Sequence, residues 1–408
     1  MKLYDVIEKF IPGDWGEESF TQESPYSVHC VRGADFVPIE NNEYGDIPCR
    51  YISEKSSNSK MLNVGDIIIE KSGGSPTQST GRVCYISQEV LDAVDNKLVC
   101  SNFCVAFRCK KEWNPLYIYY YMKFVYDLGI FFNFEGKTSG LKNLQTEIAL
   151  KSIPIVEIDK KEQDMYMRFF EDVEKKLAVS RCIVKSLRNQ IETIYDYWFK
   201  QFDFPDVNGK SYRLSGGEMV YNENIKREIP KGWDVVKIGD ILDKVPSTQK
   251  YDTKQYQKRG KYPIIDQGPS YIVGFTDESE NLLDKHPAVV FGDHSTNVKF
   301  VDFQFARGAD GTQILYSKEK RIPPYYFYLC VKSIKIPNPG YSRHFKYLKD
   351  MFILVPDTKV SEQFEKIAEP IYKRITSAIF ENIKTENMRN DIMPMLMSNQ
   401  LNFICNED

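Results

Sequence analysis

The sequence predicts an α+β protein built by internal duplication, with two similar globular units separated by two long, antiparallel coiled-coil helices. Three observations predict it. First, short motifs recur about 200 residues apart: Glu162-Gln163 and Arg188-Asn189 in the first half, Glu362-Gln363 and Arg389-Asn390 in the second. Second, each half carries a similar opening, Ile11-Pro12-Gly13-Asp14-Trp15 and Ile229-Pro230-Lys231-Gly232-Trp233. Third, each long helix follows an apolar run read as a strand, Ile153-Pro154-Ile155-Val156 and Phe352-Ile353-Leu354-Val355-Pro356.

Residues 1–155 read as the first globular unit, because Gly and Pro punctuate short alternating runs such as Gly65-Asp66-Ile67-Ile68-Ile69-Glu70. A helix is expected after Pro115, with its aromatic residues turned inward. Residues 156–205 hold the clearest periodicity: Tyr166, Phe170, Val173, Leu177, Val184, Leu187, Ile191, Ile194 and Trp198 are spaced by alternating fours and threes, broken only at Ser180. That heptad seam asks for a partner along its length, either the chain's own second helix or another protein. Residues 206–225, rich in Asp, Asn, Ser and Gly, read as a linker. Residues 226–357 form the second unit and 358–408 the second helix, where Pro370 is expected to kink or locally break the helix and Pro394 to end it or interrupt its last turns.

With 408 residues, 42% of them hydrophobic and 27% charged, the chain has room for two or more cores. No apolar run approaches the length of a membrane span, and residues 1–9 lack the apolar stretch of a signal peptide. Nine cysteines without export signals point to reduced thiols in the cytoplasm. Cys100, Cys104 and Cys109 do not have zinc spacing and read as buried strand thiols. Net charge is −3 but uneven: residues 226–358 carry about +5 and residues 1–155 about −4. Local patches can therefore still meet a polyanion.

Residues 70–82 make a polar, glycine-rich loop with free backbone N–H groups, hydroxyls, an amide and two cations, chemistry suited to phosphates and base edges. A flexible hairpin loop is the plain alternative. The loop does not match the GxxxxGK[ST] phosphate cradle, which argues against a nucleotide hydrolase. A second basic, hydroxyl-bearing loop at 134–142 has a positional counterpart at 339–346. Asp293 and His294 after an apolar run suggest a metal or acid–base site, or else a structural or DNA-contacting turn. Four histidines offer no ligand cluster.

Over essentially its whole length the chain resembles the specificity (S) subunits of type I restriction–modification enzymes. The resemblance rests on Gly13-Asp14-Trp15-Gly16-Glu17-Glu18, Val31-Arg32-Gly33-Ala34-Asp35, Gly65-Asp66-Ile67-Ile68 and Lys71-Ser72-Gly73-Gly74-Ser75-Pro76 in the first unit. In the second unit it rests on Tyr262-Pro263-Ile264-Ile265-Asp266-Gln267-Gly268, Ile272-Val273-Gly274-Phe275, Phe291-Gly292-Asp293-His294 and Gly308-Ala309-Asp310-Gly311-Thr312. It implies two target-recognition domains, each reading half of a split, asymmetric duplex sequence, with the helices as conserved spacers. It also implies no catalytic site and no cofactor on this chain. The partners it implies are two methylation subunits, which modify adenine N6 with S-adenosylmethionine, and restriction subunits driven by ATP with Mg2+. The candidate DNA contacts are Lys71, Ser72, Ser75, Gln78, Thr80, Arg82, Lys137, Thr138, Ser139 and Lys142 in the first unit. In the second they are Gln267, His294, Ser295, Thr296, Arg307, Thr312, Ser342, Arg343, His344 and Lys346. A metal-dependent hydrolase using Asp293 and His294, and a purely helical scaffold, are the competing readings.

Overall fold

The computed structural model describes residues 1–41, 43–73, 78–138, 141–206, 209–336 and 343–401, without the side chains of residues 137, 138 and 141. Two compact units result: one from residues 1–177 and 384–408, the other from residues 178–383.

In the first unit a four-stranded antiparallel sheet runs in the order Ile7–Pro12, Cys104–Cys109, Ile67–Glu70, Val83–Tyr85. Its central strand shows why Ile67-Ile68-Ile69 is uniformly apolar. Ile67 and Ile69 join a core with Phe107 and the helix Pro115–Asp127, while Ile68 turns to the opposite core with Val31, Phe36 and Leu98. Both faces are covered, so alternation disappears. The aromatic helix starts where expected: Asn114 Oδ1 accepts from Leu116 and Tyr117 N–H at 2.9 and 3.3 Å, and Pro115 needs no hydrogen bond at the first position. Cys100, Cys104 and Cys109 are buried in strands, and burial pushes the Cys104 thiol up to about 11, leaving it unreactive.

The second unit contains a four-stranded sheet in the order Gly274–Thr276, Tyr262–Ile265, Phe305–Arg307, Leu282–Leu283. A three-stranded antiparallel sheet, Val298–Val301, Ala288–Gly292, Thr312–Leu315, packs with the helix Pro324–Ser333.

The long helices span Lys160–Tyr195 and Thr358–Met397. In the first unit the start of one meets the end of the other: Tyr166, Met167 and Phe170 share a core with Met393, Leu396 and Met397, and Arg389 pairs with Glu174. In the second unit the opposite ends meet, Val184, Ile191 and Tyr195 packing with Val360, Phe364, Ala368 and Tyr372. The pairing is antiparallel. Val173 and Leu177 are buried as the seam requires, while Leu187, Ile194 and Trp198 are only partly buried. Tyr195 and Phe199 lie on the buried face instead, and the last turn, Asp196–Lys200, is π-helical. Among the described residues no helix is long and apolar enough to cross a membrane.

Four expectations need correction. The second helix is not broken at Pro370, which is exposed, and it ends three residues past Pro394. Ile153–Val156 is not a strand: Pro154 makes a single bridge to Lys2, whereas Phe352–Val355 pairs fully with Asp234–Lys237. The presumed linker is packed. Phe204 stacks on Tyr212 and Trp233, and Met219–Asn222 pairs with Arg227–Pro230.

The fourth correction concerns the register of the repeat, which differs from the Glu-Gln match by two residues. Asp159 and Asp357 each accept an N–H at the helix start, from Lys161 at 3.2 Å and Lys359 at 2.8 Å, and they are 198 residues apart. The same offset relates Tyr166 to Phe364, and it relates the Ile153 carbonyl that accepts Leu3 N–H to the Met351 carbonyl that accepts Ile238 N–H, both at 3.0 Å. The structural counterpart of Ile238 is thus Leu3, so the matching Ile-Pro…Trp openings are not equivalent positions.

Candidate nucleic-acid interface

In the first unit the two loops expected separately form one platform. Ser72–Gly73 pairs with Leu141–Leu144, which pairs in turn with Glu135–Thr138. Glu135, which the sequence reading missed, organises it. Its carboxylate accepts the Thr80 N–H at 2.6 Å and hydroxyl at 3.1 Å, and it pairs with Lys142 at 3.2 Å. Lys142 also donates to the Gln78 carbonyl at 3.3 Å. Thr80 is fully buried, so it holds the loop and does not face a ligand. Arg82 is likewise committed: its guanidinium makes a two-pronged contact with Glu70 at 2.6 and 2.9 Å, and Glu70 is 5% exposed. Gly73 is required beneath this pair, since at φ +146° an added Cβ would lie 2.8 Å from Glu70 Oε1. Ser72 bonds Asn143, Lys71 is half-buried, and Gln78 is exposed. Ser75 and Ser139 lie outside the described residues, as do the side chains of Lys137 and Thr138.

In the second unit Gln267 is the hub. Its Nε2 donates to the Asp310 carbonyl at 2.8 Å, its Oε1 accepts His294 N–H at 3.0 Å, and its backbone carbonyl accepts from Ser295 Oγ and Asn297 Nδ2. Gly311 makes room for it: at φ +86° a Cβ would sit 2.5 Å from Gln267 Nε2. Lys299, nearly buried, donates to the carbonyls of Asp266 at 2.7 Å and Ser270 at 2.5 Å, fixing the loop that carries Gln267. The result presents His294, Ser295 and Thr296 to solvent on a braced turn.

Several expected contacts are internal instead. Arg307 donates to the Thr312 carbonyl at 3.0 Å, and Thr312, fully buried, donates to the Ala309 carbonyl at 2.8 Å. His344 is buried as the first residue of the helix His344–Asp350. Asp293 holds that helix: its Oδ1 accepts Phe345 N–H at 2.8 Å and its carbonyl accepts His344 N–H at 2.8 Å. Among the described residues no group of three His, Cys, Asp or Glu is placed to hold a metal. Arg343 and Lys346 are exposed, and Ser342 lies outside the described residues.

The motifs behind the resemblance are mostly architecture. Arg32 and Asp35 form a two-pronged pair at 2.8 and 3.0 Å, Arg108 and Asp66 another at 2.9 Å, and Asp14 accepts from Ser56 at 2.5 Å and Lys60 at 2.9 Å.

No family model matches the chain. Across 97% of its length it superposes on 95% of the type I restriction–modification S subunit from M. genitalium, at a TM-score of 0.55 and 14% identity. The fold is that of a type I specificity subunit. Sequence similarity points the same way. The specificity subunit of the type I restriction enzyme MjaIX from Methanocaldococcus jannaschii is 20% identical over 233 residues, 51% of either chain. A type I specificity subunit of Escherichia coli is 26% identical over 116 residues, 27% of this chain and 28% of that one. The chain thus spans about half the length of the first of these curated relatives and about a quarter of the second. At such low identity the specificity-subunit fold is shared while the exposed loop residues are free to differ.

Proposed function

We propose that this chain is the sequence-reading subunit of a type I restriction–modification assembly. Each unit reads one half of a split, asymmetric duplex target, and the paired helices set the gap between halves. The observation that carries this reading is the duplication itself: two loop-bearing units of the same build on two antiparallel helices. Gln78 and Lys71 in the first unit, and His294, Ser295, Thr296, Arg343 and Lys346 in the second, are the exposed or half-exposed groups suited to base edges and phosphates. The chain has no chemistry of its own in this scheme and works in the cytoplasm. Two methylation subunits supply adenine-N6 methylation from S-adenosylmethionine, and restriction subunits supply ATP- and Mg2+-dependent cleavage. Footprinting of the full chain with its methylation subunits on genomic fragments tests this. A protected sequence in two blocks with an unprotected gap is expected. A single contiguous block, or none, would remove the bipartite reading, and divalent-metal-dependent hydrolysis by the chain alone, lost in His294→Ala, would favour the hydrolase.

A further inference from the structure

Residues 244–261 alone carry the whole net positive charge of the second globular unit. Lys244, Lys250, Lys254, Lys258, Arg259 and Lys261 stand against Asp252, a net of about +5, the same as residues 226–358 together. The six cations are all exposed, and Lys250 reaches Asp310 at 2.7 Å.

This stretch has little regular structure yet is firmly pinned. Gln257 and Phe275 exchange backbone hydrogen bonds at 3.0 and 2.9 Å, and Tyr251 N–H reaches the Arg307 carbonyl at 2.9 Å. Asp252 caps the short turn Thr253–Gln255, and Lys261 N–H is held by Asp277 at 2.9 Å. Gly260 and Gly274 allow the close approach, since a Cβ on either would fall within 3 Å of the facing segment. Tyr256 fixes the position. Its hydroxyl accepts Ala309 N–H at 2.9 Å and lies 3.4 Å from Asp266 Oδ2, so it ties the strap to the two loops that carry and receive Gln267. The strap is thus tied beside the hub by Tyr256 and by Lys250, which pairs with the exposed Asp310, and the hub's exposed side chains include His294, Ser295, Thr296 and the Asp310 carboxylate.

We infer that residues 244–261 form a phosphate-binding strap that seats the second unit on the DNA backbone beside its base-reading turn. The inference rests on the DNA-reading function proposed above and divides the labour within it: the strap supplies affinity and the Gln267 hub supplies discrimination. Compact ammonium groups on a pinned backbone suit phosphates, whose positions do not depend on sequence.

Equilibrium binding of the full chain to labelled mixed-sequence duplex DNA, repeated over a series of salt concentrations, tests this. Each phosphate contact contributes about 0.9 to the slope of log affinity against log salt. In the triple variant Lys254→Gln, Lys258→Gln, Lys261→Gln the slope is expected to fall by about 2–3. A variant with the same charge change on the second long helix, Lys359→Gln, Lys366→Gln, Lys373→Gln, is expected to keep the wild-type slope. If the wild type binds and both variants match it, or both fall equally, the strap is overturned while DNA binding stands. If the wild type fails to bind duplex even at low salt, the DNA-reading function itself falls.

Discussion

Glu365 of the second long helix accepts the backbone N–H of Tyr326 at 2.9 Å, and its other oxygen accepts Tyr325 N–H at 3.4 Å. The long helix thereby closes the free N-terminus of the helix Pro324–Ser333. The first unit has a related solution: Gln163 of the first long helix accepts Asn114 N–H at 2.8 Å. In both units the long helix is stitched into its globular unit by backbone groups as well as by apolar packing.

Burial pushes the Glu365 carboxyl from 4.5 up to about 7, with the Glu369 charge adding to the rise and the two N–H groups opposing it. A raised carboxyl pKa means the folded chain keeps a proton that the unfolded chain has released. The stabilisation is complete below about pH 4.5 and is lost as pH rises through about 7. Glu365→Gln keeps an acceptor but cannot titrate. Its thermal midpoint is expected to gain on the wild type as pH rises across that window, and parallel pH profiles would contradict the assignment.

The Glu70–Arg82 pair gives a second expectation. Arg82→Ala strands a nearly buried carboxylate and should cost about 3 kcal/mol of first-unit stability. Urea unfolding measures this directly. An Arg82→Ala chain with unchanged stability but weakened DNA binding would return Arg82 to the recognition surface.

Phe364 is fully buried among Tyr195, Trp198 and Phe199, with ring centroids 6.3, 5.9 and 5.1 Å away. Phe364→Ala should cost about 3–5 kcal/mol by leaving a cavity where the helices meet. A loss well under about 1 kcal/mol in denaturant unfolding would show that the site collapses freely.

Gln78→Ala and Gln267→Ala separate the two units functionally. Gln78 is exposed on the first platform, whereas Gln267 braces the second turn. Each change is expected to relax protection of one half-site and leave the other intact. Relaxation of both half-sites by either change would contradict independent reading.

The duplication, the aromatic helix and the first seam were legible because apolar periodicity and capping chemistry are local signals. The repeat register was not. Glu-Gln identity placed the match at 200 residues, while equivalence follows Asp159 and Asp357, whose role depends on cap geometry. The candidate contacts divided for a similar reason. Polar residues such as Thr80, Arg82, Arg307 and Thr312 look alike in sequence whether they face solvent or brace a loop. Their partners Glu135, Glu70 and the Ala309 carbonyl are distant in sequence or belong to the backbone. The positive balance of residues 226–358 was visible as composition, yet the link of residues 244–261 to the Gln267 hub through Tyr256 is a tertiary contact.

The central claim, that two units of one build read two halves of a single target, is tested most directly by mapping N6-methyladenine across genomic DNA from cells with and without this gene. Methylation at one split, asymmetric motif that disappears with the gene is the expected result. An identical methylation map in both cells would contradict it.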